Sequence, residues 1–297
     1  MKQKRFVLIG HPVAHSLSPA IHHAAYGALG LPHRYELVDC PDLAHVERAL
    51  EAIRRGEIEG ANVTVPWKRE ALKLADRVAP GAQRVGAANV LVRGADGALV
   101  AHNTDVLALV EEFQRLVTTV RRVVVIGNGG AAPAVVVAAR EAGAEVVTVT
   151  ARKFLPSEPA ESWPHAAEFS ARGAALAAWP GADADAQRRF NLLLSRVDLL
   201  VQCTSAGMHG ADDGQALANL IPWEHLPQCA LAYDLIYNPA NTPFLEGARA
   251  AGLGAENGLG MLVAQAAKAI ELWLSVVPPR APLESAAREA LAARSRA

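Results

Sequence analysis

Four apolar residues in a row, Val123-Val124-Val125-Ile126, run directly into Gly127-Asn128-Gly129-Gly130-Ala131-Ala132. The apolar run reads as a buried strand, and residues 131–141 continue as a helix, so strand, glycine-rich turn and helix follow without a linker. Each small residue has a reason to be there. Gly127 allows the tight turn, Gly129 removes a side chain where a pyrophosphate would approach, and Ala132 lets helix and strand pack closely. The helix start offers N–H groups and the positive end of its dipole to phosphate. Pro133 is tolerated in that first turn because its missing N–H would have no helical partner. Gly127, Asn128, Gly129, Gly130 and Ala131 are therefore the expected phosphate cradle of a Rossmann-like unit. The competing reading is a glycine-rich turn that binds nothing.

The rest of the chain repeats the same grammar. Residues 6–9, 34–38, 60–64 and 90–92 read as short strands, with helices over 20–29 and 43–55 between them. Such alternation indicates an α/β layer on a mostly parallel sheet. Residues 98–101 can pair with 90–92 across the hairpin-like turn Gly94-Ala95-Asp96-Gly97. A helix over 105–117 leads to the second α/β unit, with strands at 121–126, 145–150, 197–202 and 230–235. Residues 154–190 are Ala-rich, carry several prolines and show little periodicity. They read as a long surface excursion with one helix. Two further helices are expected, over 264–274 and 283–294.

Composition excludes several classes. The 297 residues are enough for two domains, 51% of them are hydrophobic and 20% charged, and the net charge is −1. No general attraction to nucleic acid or to a membrane surface follows from that balance. No apolar run reaches the length of a membrane span, and 6–9 is too short for a secretory apolar region. Cys40, Cys203 and Cys229 lack C-x-x-C or metal-ligand spacing, so reduced thiols in the cytoplasm are expected. His11, His15, His22 and His23 are separated by Pro12 and Pro19 and joined by no acidic cluster, so no metal site is expected.

Ser16 and Ser18 follow the first strand and precede Pro19, which suits the first turn of a helix. Hydroxyls and backbone N–H groups at such a junction suit a carboxylate; the plainer reading is a serine cap and a turn. Thr148-Val149-Thr150-Ala151-Arg152-Lys153 ends the strand after the glycine-rich turn with no acid to hold ribose hydroxyls. Arg152 and Lys153 suit a 2′-phosphate instead, which points to NADP rather than NAD.

Five segments in order, Gly10 to His22, Asn62-Val63-Thr64-Val65-Pro66-Trp67-Lys68, Gly86-Ala87-Ala88-Asn89, Asn103-Thr104-Asp105 and Asn257-Gly258-Leu259-Gly260-Met261-Leu262-Val263-Ala264-Gln265, resemble the shikimate/quinate dehydrogenase family over residues 5–274. The resemblance implies two domains with a cleft between them. One is an N-terminal α/β substrate domain over 1–106, completed by C-terminal helices in 258–297. The other is a Rossmann-like NADP-binding domain over 107–257. It implies that Lys68 and Asp105 are the catalytic pair and that Ser16 and Ser18 bind the substrate carboxylate. By the same resemblance Asn62, Thr64, Asn89 and Gln265 contact the ring substituents, Tyr237 lies near the carboxylate, and Thr204 and Gly258 border the cofactor. The reaction implied is the NADP-dependent, reversible reduction of 3-dehydroshikimate to shikimate, a step of aromatic amino acid biosynthesis, in a monomer or homodimer.

Each residue also has a plainer reading: a solvated surface lysine for Lys68, a helix cap for Asp105, simple packing for Tyr237. The chain departs from the family pattern at Val90, Ala101, Ala108, Ala151, Lys153, Gln202 and Cys203. Val90 lacks a hydroxyl usual in the family, which bears on the choice among shikimate, quinate and aminoshikimate. A catalytically silent ligand-binding or regulatory protein on the same fold is the reading from another class.

Overall fold

The computed structural model describes residues 2–181 and 183–294, and the chain divides into two compact units. One comprises the residues up to Ala108 together with those from Leu262 onward; the other is Leu109–Met261.

The first unit is built on a six-stranded mixed sheet. In chain order it contains β1 (Arg5–Gly10), α1 (Ser18–Ala28), β2 (Arg34–Asp39), α2 (Leu43–Arg54), β3 (Gly60–Val63), α3 (Lys68–Leu74), β4 (Arg77–Val78), α4 (Pro80–Val85), β5 (Val90–Arg93) and β6 (Leu99–His102). The strand order is β2-β1-β3-β5-β6-β4. β2, β1 and β3 run parallel, and β5 is antiparallel to both neighbours, β3 and β6. The expected hairpin over 90–92 and 98–101 is this β5–β6 pair. One sheet face buries Val7, Ile9, Ala61, Val63, Leu91 and Ala101 against Val46, Leu50 and Ile53 of α2. α2 forms because those apolar residues recur on one side and Asp42 accepts from the His45 N–H at 3.0 Å as its cap. The other face carries an aromatic cluster, with Phe6 stacked on Trp273 at 4.7 Å and His22 on Tyr35 at 3.8 Å.

The chain enters the second unit along α5 (Thr104–Leu116). There follow β7 (Arg122–Ile126), α6 (Ala132–Glu141), β8 (Val146–Thr150), α7 (Ala166–Ala171), β9 (Ala175–Ala177), α8 (Ala184–Leu194), β10 (Leu199–Gln202), α9 (Gln215–Leu220), β11 (Leu231–Asp234), α10 (Pro243–Ala250) and β12 (Gly254–Asn257). All six strands are parallel, in the order β12-β11-β10-β7-β8-β9. Read from the other end, this is the doubly wound order 3-2-1-4-5-6, whose switch point lies between β7 and β10. Val124, Ile126, Leu200 and Ala232 pack one face against Phe190 and Leu194 of α8 and Phe244 and Leu245 of α10. α6 is buried from Ala132 to Ala139 and covers β7 and β8. The chain returns along α11 (Leu259–Leu274) and ends in α12 (Arg280–Arg294), which packs on α1.

The 154–190 segment departs from the expected single-helix excursion. It holds a short 3₁₀ turn at Ala160–Ser162, then α7, the edge strand β9 and the start of α8. Side-chain contacts, not periodicity, order it: Phe154 stacks on Trp163 at 4.9 Å, and Thr150 Oγ1 donates to Ala178 O at 3.5 Å. Asp183 caps α8 by accepting from the Ala186 N–H at 2.6 Å.

Asp234, at the end of β11, is fully buried. Burial pushes its carboxyl up to about 6, against the opposing pull of the Thr242 hydroxyl and the Ile236 N–H. Because that lies above the usual aspartate value, folding favours the protonated acid. The group's contribution to stability is complete below about pH 4 and is lost as pH rises through about 6, a loss of roughly 2–3 kcal/mol. Asp234→Asn keeps an acceptor for Ile236 and cannot titrate. Urea unfolding at pH 4.5 and pH 8 is expected to give a smaller stability difference for the variant than for the wild type; equal differences would contradict the assignment.

Candidate active site

Three strand ends of the first sheet bring the proposed reacting groups together. β1 and β3 end at Gly10 and Val63, and antiparallel β5 starts at the same edge, beside the end of β6. Gly10 is required there: a Cβ would lie 2.3 Å from Thr64 Cγ2 and 3.1 Å from Val65 O. The close approach is sealed by the His11 N–H donating to Val65 O at 3.0 Å. Lys68 is the first residue of α3, and its carbonyl accepts from the Ala88 N–H at 2.8 Å. Asp105 lies in the first turn of α5, directly after β6.

The two side chains meet although 37 residues separate them. Lys68 Nζ donates to Asp105 Oδ2 at 2.7 Å, with the lysine side chain 28% exposed and the aspartate 11%. Asn89 Nδ2 donates to Asp105 Oδ1 at 2.8 Å and to Thr104 Oγ1 at 3.0 Å, while Asn89 Oδ1 accepts from the Thr104 N–H at 2.7 Å. Both carboxylate oxygens thus have a donor, and the buried amide that fixes one of them is itself fixed. Asp105 does not cap α5. That role belongs to Asn103, whose Oδ1 accepts from the Val106 N–H at 3.2 Å, three residues on. The cap reading of Asp105 is therefore corrected: Asn103 supplies the cap, and the Asp105 carboxylate faces the lysine instead.

The other residues of this unit fall as follows. Ser18 is buried at the start of α1, and its N–H donates to the half-buried Ser16 Oγ at 3.1 Å, so the pair makes a serine turn whose Ser16 O–H can still donate. Asn62, buried on β3, donates to Asn89 O at 3.3 Å and accepts from the Tyr35 hydroxyl at 2.7 Å. Thr64 is half-buried in the turn before α3, its carbonyl accepting from the Trp67 N–H at 2.9 Å. Gln265 turns its amide back onto its own helix, donating to Leu262 O at 3.0 Å. Asn89, read from the sequence as a ring contact, has both N–H groups engaged with Thr104 and Asp105; the structure makes it the support of the pair. Tyr35 is a further participant. So is Arg294, which donates to the carbonyls of His15 and Ser16 (2.9 Å for the latter) and ties α12 to the serine turn. Neither belongs to a local motif, and both are visible only once β2 and α12 are in place.

In the second unit the glycine-rich turn sits at the switch point. Gly127 has φ +109°, and a Cβ on it would lie 2.8 Å from Thr204 Cγ2 and 3.1 Å from the Cys203 carbonyl carbon. Gly130 faces open space, with nothing within 4 Å of a built Cβ, and α6 has no side-chain cap at its start. This is a cradle shaped for phosphate: close-packed on the side of β10, open on the other, with an uncapped helix start beside it. Asn128 is half-buried and Ala131 is the residue before α6. Arg152 and Lys153 are exposed just past β8. The Arg152 guanidinium is 71% exposed and only 3.3 Å from Asp212, an exposed pair easily exchanged for a phosphate. The Ala206 N–H donates to Thr204 Oγ1 at 3.1 Å. Tyr237 is half-buried beyond β11. Gly258 has a packing reason of its own: a Cβ would lie 2.2 Å from Leu235 O. Cys203 is half-buried, and burial raises its thiol well above the usual range, which suits a packing residue. Among the described residues no three His, Cys, Asp or Glu side chains converge as a metal site would require, and no helix is long and apolar enough to cross a membrane.

Residues 8–91 match the model of the shikimate dehydrogenase substrate binding domain, and residues 258–288 that of the shikimate 5′-dehydrogenase C-terminal domain. A shikimate dehydrogenase (NADP(+)) of Geobacillus kaustophilus (strain HTA426) is 35% identical over 279 residues, covering 93% of this chain and 94% of that one. The shikimate 5-dehydrogenase of Thermus thermophilus, solved in complex with NADP(H) and shikimate, is 36% identical, covers 97% of this chain and 99% of its own, and superposes with a TM-score of 0.79. The ligand-free 5-ketofructose reductase of Gluconobacter sp. strain CHM43 has the same fold, at 26% identity, 97% and 99% coverage and a TM-score of 0.80.

Proposed function

This chain belongs to the shikimate dehydrogenase family, and from that premise we propose that it reduces 3-dehydroshikimate to shikimate, reversibly and with NADPH. One observation carries the catalytic part of the reading: the 2.7 Å contact between Lys68 Nζ and an Asp105 carboxylate that is anchored from behind by Asn89.

When bound, NADPH supplies the hydride. The Gly127–Ala131 turn and the start of α6 hold its pyrophosphate, and Arg152 with Lys153 holds the 2′-phosphate that distinguishes it from NADH. Thr204 and Gly258 border the same nucleotide. Ser16 and Ser18 bind the ring carboxylate through hydroxyl donors, with Tyr237 beside it. Asn62, Thr64 and Gln265 serve the ring hydroxyls, and Asn89, whose N–H groups are engaged, accepts from one through Oδ1, since a buried hydroxyl needs a polar partner. Lys68 Nζ donates to the ketone oxygen and delivers the proton that the developing alkoxide takes up; in the reverse direction it accepts that proton. Asp105 keeps the amine aimed at the oxygen and accepts a hydrogen bond from the neighbouring ring hydroxyl. The same reading puts the enzyme in the cytoplasm, as a monomer or homodimer. Its free cysteines, one buried, one half-buried and one exposed, suit a reducing compartment.

Steady-state rates on shikimate, quinate, aminoshikimate and 5-ketofructose, each with NADP(H) and NAD(H), test the proposal. Shikimate with NADP is expected to exceed every other combination in kcat/KM by at least about ten-fold. The panel includes quinate because Val90 places a hydrocarbon directly across from Asn62. A higher kcat/KM on another ring, or with NAD, overturns the assignment. Tight shikimate binding without hydride transfer on any substrate identifies a silent binding protein.

A further inference from the structure

Tyr35 lies on β2 at 2% exposure, and its hydroxyl donates to Asn62 Oδ1 at 2.7 Å. The Ser18 side chain lies near the same phenol, which it draws down against the effect of burial. The phenol therefore lies between the serine turn and Asn62. Asn62 in turn donates to Asn89 O, and the Asn89 side chain holds Asp105. The ring is held firmly. His22 stacks on it at 3.8 Å with an interplanar angle of 7°, and the Tyr35 N–H donates to His23 Nε2 at 3.1 Å. Burial, with His23 nearby, lowers the His22 ring to about 3 against a contact with Asn62, so the stacked partner is neutral at working pH.

A primary amide has nearly the same shape at its two ends and opposite polarity, so its neighbours decide which end points where. Asn62 has a hydroxyl donor on one side and the Asn89 carbonyl, an acceptor, on the other. Only Oδ1 toward Tyr35 and Nδ2 toward Asn89 satisfies both. Val90, directly opposite on β5, offers neither donor nor acceptor. The Asn89 carbonyl, which can only accept, fixes Nδ2 on its side, and the phenol holds Oδ1 from the other; the second N–H of Nδ2 is left as the donor for a ligand.

We propose that Tyr35 is a positioning residue of the substrate site: its hydroxyl holds the Oδ1 end of the Asn62 amide, so that the amide presents an N–H to a hydroxylated ring acid that Tyr35 itself does not touch. The proposal rests on the shikimate reading above and adds a determinant of ring affinity to it.

Tyr35→Phe keeps the ring, its volume and its stacking and removes only the hydroxyl. The variant is expected to raise KM for shikimate roughly ten-fold, the scale of losing a partner from a buried polar group, with kcat changed less than about three-fold. KM for NADP stays at the wild-type value. Asn62→Ala raises KM for shikimate at least as much, and adding Y35F to N62A has no further effect, because the phenol acts through that amide. A purely structural role would instead lower Tm and turnover alike in both backgrounds. A KM for Y35F within about two-fold of wild type, or equal effects of Y35F with and without Asn62, overturns the proposal. If Y35F does not fold, N62A decides: an unchanged KM overturns it. A wild-type protein that does not turn over shikimate removes the functional reading itself, a result distinct from an active enzyme indifferent to Y35F.

Discussion

Lys68→Ala is expected to lower shikimate turnover by roughly 10²- to 10⁴-fold, the range commanded by a positioned general acid–base group. The argument starts from geometry. Nζ is the donor nearest to the Asp105 carboxylate, the amine is partly exposed at 28%, and the carboxylate behind it is nearly buried at 11%. Removing the amine leaves Asp105 still bonded to Asn89, so the loss falls on chemistry more than on folding. KM for NADP should be unchanged, since the turn proposed to hold the nucleotide lies in the other unit of the chain. Steady-state kinetics in the oxidative direction, with Tm as a folding control, make the measurement. Turnover within about five-fold of wild type, in a folded variant, would remove Lys68 from the mechanism.

The second large effect is expected at the switch point of the parallel sheet. Gly127→Ala places a Cβ where Thr204 Cγ2 is 2.8 Å away and backbone atoms of Cys203 lie at 3.1–3.2 Å, on a residue whose φ of +109° L side chains rarely adopt. The methyl of Thr204 can turn aside, but the strand-end backbone of β10 cannot move without disturbing its ladder with β7. The strain is on the order of 1–3 kcal/mol, and relieving it opens the turn that presents N–H groups to phosphate. NADPH affinity, read by fluorescence titration, is therefore expected to fall by about 100-fold, with Tm lowered by several degrees. An affinity within about two-fold of wild type would show that the turn does not hold the nucleotide.

These two positions also show why the chain was partly legible before its structure. The glycine-rich turn depends on residues adjacent in sequence, so the strand over 121–126, the turn and the helix after it were readable as local stereochemistry, and β7 and α6 lie there. The β5–β6 hairpin was readable for the same reason, since a four-residue turn sets its register. The edge strands β4, β9 and β12 were not. They have two to four residues each and are defined by the ladder they join, not by a pattern of their own. The 154–190 segment carries little such signal because a stack between Phe154 and Trp163 and the Asp183 cap order it, and neither leaves a period in the sequence.

The amino-acid sequence alone determined which elements alternate, where the glycine-rich turn lies and which residue types sit at strand ends, because backbone stereochemistry and side-chain periodicity act over a few neighbours. Only the tertiary structure decided that Lys68 and Asp105 share a hydrogen bond, that Asn89 donates to Thr104 and Asp105, and that the Tyr35 hydroxyl donates to the Asn62 amide. Those outcomes depend on strand order and on which buried donor finds which acceptor across 15 to 37 residues of chain. Desolvation makes that matching obligatory, and sequence proximity does not encode it.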